Sequence, residues 1–572
     1  MKYKKLAEVY EDLSATTKRL EKTDILSKFL KNVSEKDDDV MYLLLGSVFP
    51  EYSEKRIGIS NQLAIQAISK STGVEKPEVV KTWKQLGDLG KVAEELTKKK
   101  RQSTLRSHVI TIQKVIENIQ KLPELEGKGT ISRKLGLITE LLTSASPLES
   151  KYLIRTLIGD LRIGVQESTI RDAMAKAFFQ DKKEAASKIQ RALDRANDIG
   201  AVFVMARKGK LKAFESVGIE IGKPLKVMLA QKADSIADGF KKVGKPCSVE
   251  YKYDGFRMLV HKKGKTLTLF TRRLENVTKQ FPEVVDYINK YVKGKEFILD
   301  SEAVGWDRKT KEYKPFQSIS QRIRRKYDIE KLQEQLPVEL NVFDILYYNG
   351  KSMIDSPYRD RVKLVKKIVK KHPYKIIPAK SIITGDEGRA KAFFKAALKD
   401  NQEGIMMKNL EAIYQPGKRV GHMLKVKPEE RDLDLVITGA EYGTGKRSGW
   451  MSSFVLSCRG KNKGEFLEIG KVGTGIKEKA QGESGIVSFD ELTKKLSKYV
   501  IEEKGKKVKL KPKMVVSVTY QEIQRSPNYN SGWALRFPRF TALRPDKPLS
   551  EIADLKEVEK DFNNQKRNWK YG

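Results

Sequence analysis

Lys252 sits between two carboxylates in the stretch Glu250-Tyr-Lys-Tyr-Asp-Gly-Phe-Arg257, with Asp254, a glycine and then an arginine following it. A lysine amine of ordinary pKa, about 10.4, is a poor nucleophile at neutral pH, and attack on phosphorus requires a desolvated, electropositive pocket. Further stretches carry the residue types such a pocket needs. Thr271-Arg272-Arg273 offers guanidinium forks for phosphate or ribose. Phe297-Ile-Leu-Asp-Ser-Glu302 places Asp300 and Glu302 on one face of a strand, where they could hold Mg²⁺ or accept from a ribose hydroxyl. Phe343, beside Asp344, could stack on a base. Glu403-Gly-Ile-Met-Met-Lys408 adds a carboxylate and a lysine, and Leu424-Lys-Val-Lys427 points Lys425 and Lys427 to one side. Each has an ordinary alternative when taken singly: a charged strand ending in an Asp-Gly turn, a solvated acidic edge, a core phenylalanine.

These stretches need a scaffold of several parts, because 572 residues exceed what one core holds and two to four domains are expected. Residues 1–220 read as helical: Leu6, Val9, Tyr10 and Leu13 share one face, and the same period returns over 135–142 and 170–178. Ser146-Pro147-Leu148-Glu149 has the signature of a helix start. Basic residues cluster beside glycine turns at 127–134 and 155–162, the latter including Arg155, and suit a nucleic-acid backbone. A Gly/Pro/Lys-rich interval at 206–230 marks a boundary. Residues 221–430 then alternate strands (248–253, 267–271, 297–304, 340–345, 404–408) with helices (358–371, 389–399), an α+β pattern. Residues 431–572 are rich in strands and glycines and end in a charged helix over 549–562.

Lysine and arginine number 113 against 74 acidic residues, a net charge of +39, which points to a polyanionic partner bound with strong salt dependence. Two distant cysteines, Cys247 and Cys458, make neither a disulfide framework nor a four-cysteine zinc site, and they suit a reducing compartment. The N-terminus lacks a signal-peptide core and the apolar run 41–49 is too short to span a membrane, so a cytoplasmic, nucleoid-associated protein is expected.

In order and spacing, E-x-K-x-D-G-x-R, T-R-R, L-D-x-E, F-D-x-L, E-G-x-x-x-K and K-x-K resemble the motifs of the covalent nucleotidyltransferases, namely DNA ligases, RNA ligases and capping enzymes. Ala303-Val-Gly-Trp-Asp307, Lys314-Pro-Phe-Gln317 with Arg322 and Arg324, Tyr414-Gln-Pro-Gly-Lys-Arg419, 433–447 and Leu535-Arg-Phe-Pro-Arg-Phe540 with Arg544-Pro-Asp-Lys547 are similar to ATP-dependent DNA ligases of the archaeal and eukaryotic replicative type. Residues 152–177 resemble that family's DNA-binding domain. The resemblance implies an all-α DNA-binding domain (1–220), an α+β adenylylation domain (221–430) and an all-β OB-fold domain (431–572).

It also implies roles. Lys252 would carry AMP from ATP to the 5′-phosphate of a nick in double-stranded DNA. Glu250 would read adenine, Arg257 and Arg272 would hold ribose and phosphate, and Phe343 would stack on the base. Glu302 would sit at the ribose or at Mg²⁺ or another divalent cation, with Glu403 the better metal ligand. Arg419, Lys425 and Lys427 would neutralise phosphates and free the amine. Arg544 and Lys547 would meet the β- and γ-phosphates, and Lys446 and Arg447 the DNA backbone or minor groove. The stretch Gly443 to Gly449 is not a P-loop, since Ala440 stands where the first glycine belongs and Arg447 follows the lysine.

Three positions depart from the family pattern. Met423 replaces a tryptophan, and Asp360 separates Arg359 from Arg361, which receive no role. Gln102-Ser-Thr-Leu105 begins a sliding-clamp motif, but His108-Val109 replace its aromatic pair. A monomer is expected. An RNA-joining or capping enzyme would leave the helical region unexplained, an NAD-dependent ligase lacks its cysteines here, and an inactive DNA-binding scaffold would not need the intact set of Lys252, Glu302, Glu403 and Lys425.

Overall fold

The computed structural model describes residues 1–99, 109–325, 327–428, 431–444, 447, 449–462, 464–478 and 487–571. The chain forms two compact units, Met1–Lys427 and Pro428–Gly572.

The first unit opens with helices running from Tyr3–Ala15 to Ile199–Arg207. Leu6, Tyr10 and Leu13 are fully buried, as their helical spacing requires. Ser146 and Glu149 form a reciprocal capping box at the start of the helix Pro147–Leu157, with Pro147 in its first turn. That helix is buried from Glu149 to Leu157. It packs on Leu89–Lys98 so closely that a Cβ on Gly90 would lie 2.7 Å from the Lys151 carbonyl oxygen and from Arg155 Cγ.

This packing corrects the expectation for Arg155. Its side chain is buried, and Nη2 lies 2.6 Å from Asp88 Oδ2. Asp88 is itself the N-cap of Leu89–Lys98, accepting from Gly90 N at 2.8 Å. Arg155 therefore ties two helices together and is not presented to DNA. The clamp-motif residues 102–105 and His108 lie outside the described residues.

The strands of the α+β region are, in chain order, β1 Leu229–Lys232, β2 Cys247–Lys252, β3 Phe256–Lys263, β4 Thr266–Thr271, β5 Glu296–Trp306, β6 Tyr313–Lys314, β7 Val338–Tyr348, β8 Lys351–Ser352, β9 Ile376–Pro378, β10 Ser381–Thr384, β11 Gly404–Lys408 and β12 Arg419–Val426. They build two sheets, β1-β12-β11-β2-β10 and β4-β3-β5-β7-β8, with β6 on β5 and β9 on β7. Period-2 alternation separates their faces. Val249, Ile405, Met407, Leu424 and Val426 bury one face of the first sheet against the helices Ile236–Val243 and Glu387–Lys399. Ser248, Glu250 and Lys252 belong to the opposite face, where Met406, Val420 and Met423 pack with Leu259, Ile298 and Leu346 of the second sheet. Met423, standing where the tryptophan was expected, is thus core. Glycine at 255 is required by the short β2–β3 connection: a Cβ there would lie 2.3 Å from the Ala303 carbonyl oxygen.

Polar contacts hold the helices to this region. Lys226 reaches Glu51 at 2.6 Å and Glu167 at 2.8 Å, Arg195 reaches Asp355 at 2.6 Å, and Asn197 donates to the Pro224 carbonyl at 2.9 Å.

The second unit adds β13 Arg431–Tyr442, β14 Met451–Arg459, β15 Phe466–Val472, β16 Val500–Lys504, β17 Lys507–Tyr520, β18 Glu522–Arg525, β19 Trp533–Arg536 and β20 Arg539–Leu543. Its main sheet runs β15-β14-β13-β17-β16, with β20 on β17 and β18 paired to β19. The expected helix over 549–562 is instead a 3₁₀ turn, Leu549–Glu551, followed by the helix Leu555–Tyr571. The break arises because Ala553 N donates to the Asp434 carbonyl and Asp554 caps Glu557 N at 2.8 Å. No helix among the described residues is long and apolar enough to cross a membrane.

Replacing Arg155 with alanine leaves the buried Asp88 with Arg162, at 3.2 Å, as its remaining cation. A loss of about 2 kcal/mol of stability is expected, measured by urea denaturation of the full chain, with the dependence of DNA affinity on log salt concentration unchanged.

Candidate active site

Lys252 ends β2 and pairs across the sheet with Gly404 of β11. Glu403 N donates to the Lys252 carbonyl at 2.9 Å, which brings the Glu403 side chain alongside the lysine. Lys252 Nζ lies 2.7 Å from Glu403 Oε2, and Lys427 Nζ lies 2.5 Å from the same oxygen. Burial alone would raise the Glu403 carboxyl, but the two ammonium groups outweigh it and hold it at about 2. Lys425, on the neighbouring strand, is lowered from its ordinary value by burial and then by Lys427, Lys252 and Arg419. Glu302 behaves oppositely: burial pushes its carboxyl up to about 8, against the pull of Lys252 and Arg257. The two carboxyls are thus driven apart, one below and one above the ordinary range.

A second cluster lies further along the same face. Glu250 Oε2 lies 2.7 Å from Lys408 Nζ, and Glu250 Oε1 accepts from Ser248 Oγ at 3.0 Å and from the Tyr358 hydroxyl. Lys408 Nζ also donates to Tyr358 OH at 3.2 Å, closing a triangle of buried groups. The Phe343 ring is partly buried, with Lys408 Nζ 4.7 Å and the Arg257 guanidinium 5.3 Å from its centroid.

Arg257 forms a fork with Asp300, Nε to Oδ1 at 2.8 Å and Nη2 to Oδ2 at 2.5 Å, and also donates to the Met228 carbonyl at 2.7 Å and to Tyr414 OH at 3.3 Å. Asp300 has no exposed surface and accepts from Tyr414 OH at 2.8 Å. Its pairing with Glu302 as a metal or ribose ligand is corrected accordingly, because its oxygens are sealed against Arg257 and Tyr414.

Three family models match the chain: "DNA ligase N terminus" over residues 2–175, "ATP dependent DNA ligase domain" over 227–427 and "ATP dependent DNA ligase C terminal region" over 447–547. A DNA ligase of Nanoarchaeum equitans is 41% identical over 566 residues, 99% of each chain. The chain belongs to the ATP-dependent DNA ligase family. DNA ligases of Thermococcus fumicolans and Archaeoglobus fulgidus are each 39% identical, over 99% and 98% of both chains respectively. The solved structure named Pmar-Lig_PreS3 shares the fold, with a TM-score of 0.59 at 19% identity, covering 94% of this chain and 99% of that one.

The ligase brings Lys252, Glu302, Glu403, Lys425 and Lys427 into one electrostatic cluster, with Glu250, Arg257 and Phe343 beyond it. Arg419, exposed at the start of β12, donates to the Ala230 carbonyl at 2.8 Å, and Arg272 is exposed on the turn after β4. Arg544 and Lys547 belong to the second unit, where both pair with Asp434 Oδ2, at 2.9 and 2.5 Å. Arg447 lies 3.5 Å from Glu478 and over the Phe489 ring, while Lys446 is outside the described residues. Sequence reasoning brought Lys408 to the pocket without seeing its pairing with Glu250, and it missed Ser248, Tyr358 and Tyr414 as partners of site residues. Ser248 was within reach, since it stands two residues before Glu250 on the same strand face.

Among the described residues no group of three or more His, Cys, Asp or Glu could hold a metal ion. Glu302 and Glu403 nonetheless fit Mg²⁺, which takes one or two carboxylates together with substrate phosphates and needs no all-protein cage.

Between the ordinary carboxyl value near 4.5 and about 8, the folded protein holds a proton on Glu302 that the unfolded chain releases, so stability falls as pH rises through that window. Glu302→Gln is expected to remove this slope, leaving the melting temperature unchanged near pH 4.5 and raising it by a few degrees at pH 8.5, as read by calorimetry without nucleotide.

Proposed function

We propose that this enzyme seals nicks in double-stranded DNA through a lysyl-AMP and then a 5′-adenylylated DNA intermediate, with Lys252 as the nucleophile. The single observation carrying this reading is the placement of Lys252 and Lys427 on one oxygen of Glu403, with Lys425 beside them. Lys252 Nζ attacks the α-phosphorus of ATP, an N–P bond forms, and the bond to the pyrophosphate oxygen breaks. The AMP passes to the 5′-phosphate, and the 3′-hydroxyl displaces it. Such in-line displacements depend chiefly on positioning and charge neutralisation. Lys425 and Lys427 meet the phosphates, Arg257 and Arg272 the ribose and phosphates, and Arg419 the entry to the site. Glu250 and Phe343 meet the base. Glu302 and Glu403 would hold Mg²⁺, which when bound offsets phosphate charge.

The same reading makes 1–220 a DNA-binding domain, 221–430 the adenylylation domain, and 431–572 an OB-fold whose Arg544 and Lys547 serve the β- and γ-phosphates and whose Lys446 and Arg447 touch DNA. The sheet order of the second unit, with a long central β17 flanked by β13, β16 and β20, supports a small barrel. The charge excess and the two buried free cysteines support an intracellular monomer working on nucleic acid.

Incubation with Mg²⁺ and ATP labelled at the α-phosphate is expected to give a covalent adduct that nicked DNA discharges, and Lys252→Ala to lower it at least ~10³-fold. An adduct that survives in Lys252→Ala removes Lys252 as nucleophile. Discharge by nicked RNA alone makes the enzyme an RNA ligase, and no adduct at all makes it a DNA-binding scaffold.

A further inference from the structure

Glu250 is surrounded by donors to an extent that base contact alone does not explain. A carboxylate has about four acceptor positions. Three are filled here: Lys408 Nζ at Oε2, and Ser248 Oγ and the Tyr358 hydroxyl at Oε1. All four side chains are buried. Tyr358 begins the helix Tyr358–Ile368, and its hydroxyl contacts the Phe343 carbonyl at 3.2 Å as well as Lys408, so it links the second sheet to the carboxylate on the first. None of the three donors belongs to the Lys252, Glu403 and Lys427 cluster.

We infer that Tyr358 is a positioning residue that, with Lys408 and Ser248, presents Glu250 to the nucleotide base as an acceptor only, and thereby selects 6-aminopurine over 6-oxopurine triphosphates. This rests on the reading that Glu250 faces the base. The 6-amino group of adenine donates to the remaining acceptor position. A 6-oxo group sets acceptor against acceptor and leaves both buried and unpaired, the kind of mismatch that discriminates strongly. Without the tyrosine hydroxyl, Oε1 loses a donor that orients it, and the carboxylate can turn away from the amino group. A residue that merely filled space at 358 would lower the use of both nucleotides together when changed. A positioning residue changes their ratio.

The test is single-turnover formation of the covalent nucleotidyl-enzyme by the full chain, comparing kcat/KM for ATP and for inosine triphosphate. Wild type is expected to favour ATP by at least ~10³-fold. Tyr358→Phe is expected to cut that ratio ~10-fold or more, chiefly through the ATP value. Ser248→Ala, a smaller change at the other donor to the same oxygen, is expected to move the ratio the same way, and it decides the matter if thermal melting shows that Tyr358→Phe is unfolded. Glu250→Gln separates the two layers of the argument. If its ratio equals the wild-type ratio, Glu250 does not read the base and the underlying assignment falls. If its ratio collapses while Tyr358→Phe and Ser248→Ala keep the wild-type ratio, the assignment stands and the positioning role of Tyr358 is overturned.

Discussion

Glu403 Oε2 receives two lysines from different strands, Lys252 of β2 at 2.7 Å and Lys427 after β12 at 2.5 Å. An oxygen so placed is worth more inside the protein than at its surface, where ion pairs contribute little. It also fixes where the Lys252 amine can be. Glu403 is held by its own backbone bond to Lys252, so the carboxylate and the amine are registered by the sheet itself. The consequence is an amine held on a counter-ion that it shares with a second lysine.

Around this cluster the fold buries several complete ion pairs. Arg361 with Asp344 and Arg322 with Glu283 are shielded from solvent, Arg257 with Asp300 is so on the aspartate side, and each is bonded through more than one nitrogen. Buried pairs are poor sources of net stability, because desolvation offsets their attraction, yet breaking one strands a charge at a cost of about 3–5 kcal/mol. Their effect is to specify geometry. Arg257 joins β3, β5, the loop at Tyr414 and the approach to β1 with a single side chain. It is therefore a strut of the pocket as well as a candidate to touch nucleotide, and Arg361, which received no role from sequence, does the same for Ser356 and Ala412.

The parts of this site legible in the sequence were those governed by local periodicity and by motif order. Alternation along 424–427 put Lys425 and Lys427 on one face, and the ordered motifs brought Glu250, Lys252, Glu302, Phe343 and Glu403 to them. Arg155 went astray because a glycine-flanked basic cluster looks the same whether its arginine faces solvent or a buried aspartate 67 positions away. Asp300 went astray for the reverse reason: same-face geometry with Glu302 is correct, but burial and the Arg257 fork are not encoded locally. Tyr358 gave no local signal, since it begins a helix and its partner lies 108 positions upstream on a strand.

The matched family models leave an interval, residues 176–226, between the first and the second. That interval contains Lys182–Ala196, Ile199–Arg207, Arg195, Asn197 and Lys226, the residues that grip Glu51, Glu167, Asp355 and Pro224. The seam between the two modules is thus itself structural, and its polarity is paired: a lysine on one side answers two glutamates on the other. A chimaera that grafts the helical region of one ligase onto the adenylylation domain of another would keep both modules intact and still mismatch this lock, unless the exchanged piece carries its own residues 176–226 together with their acidic counterparts.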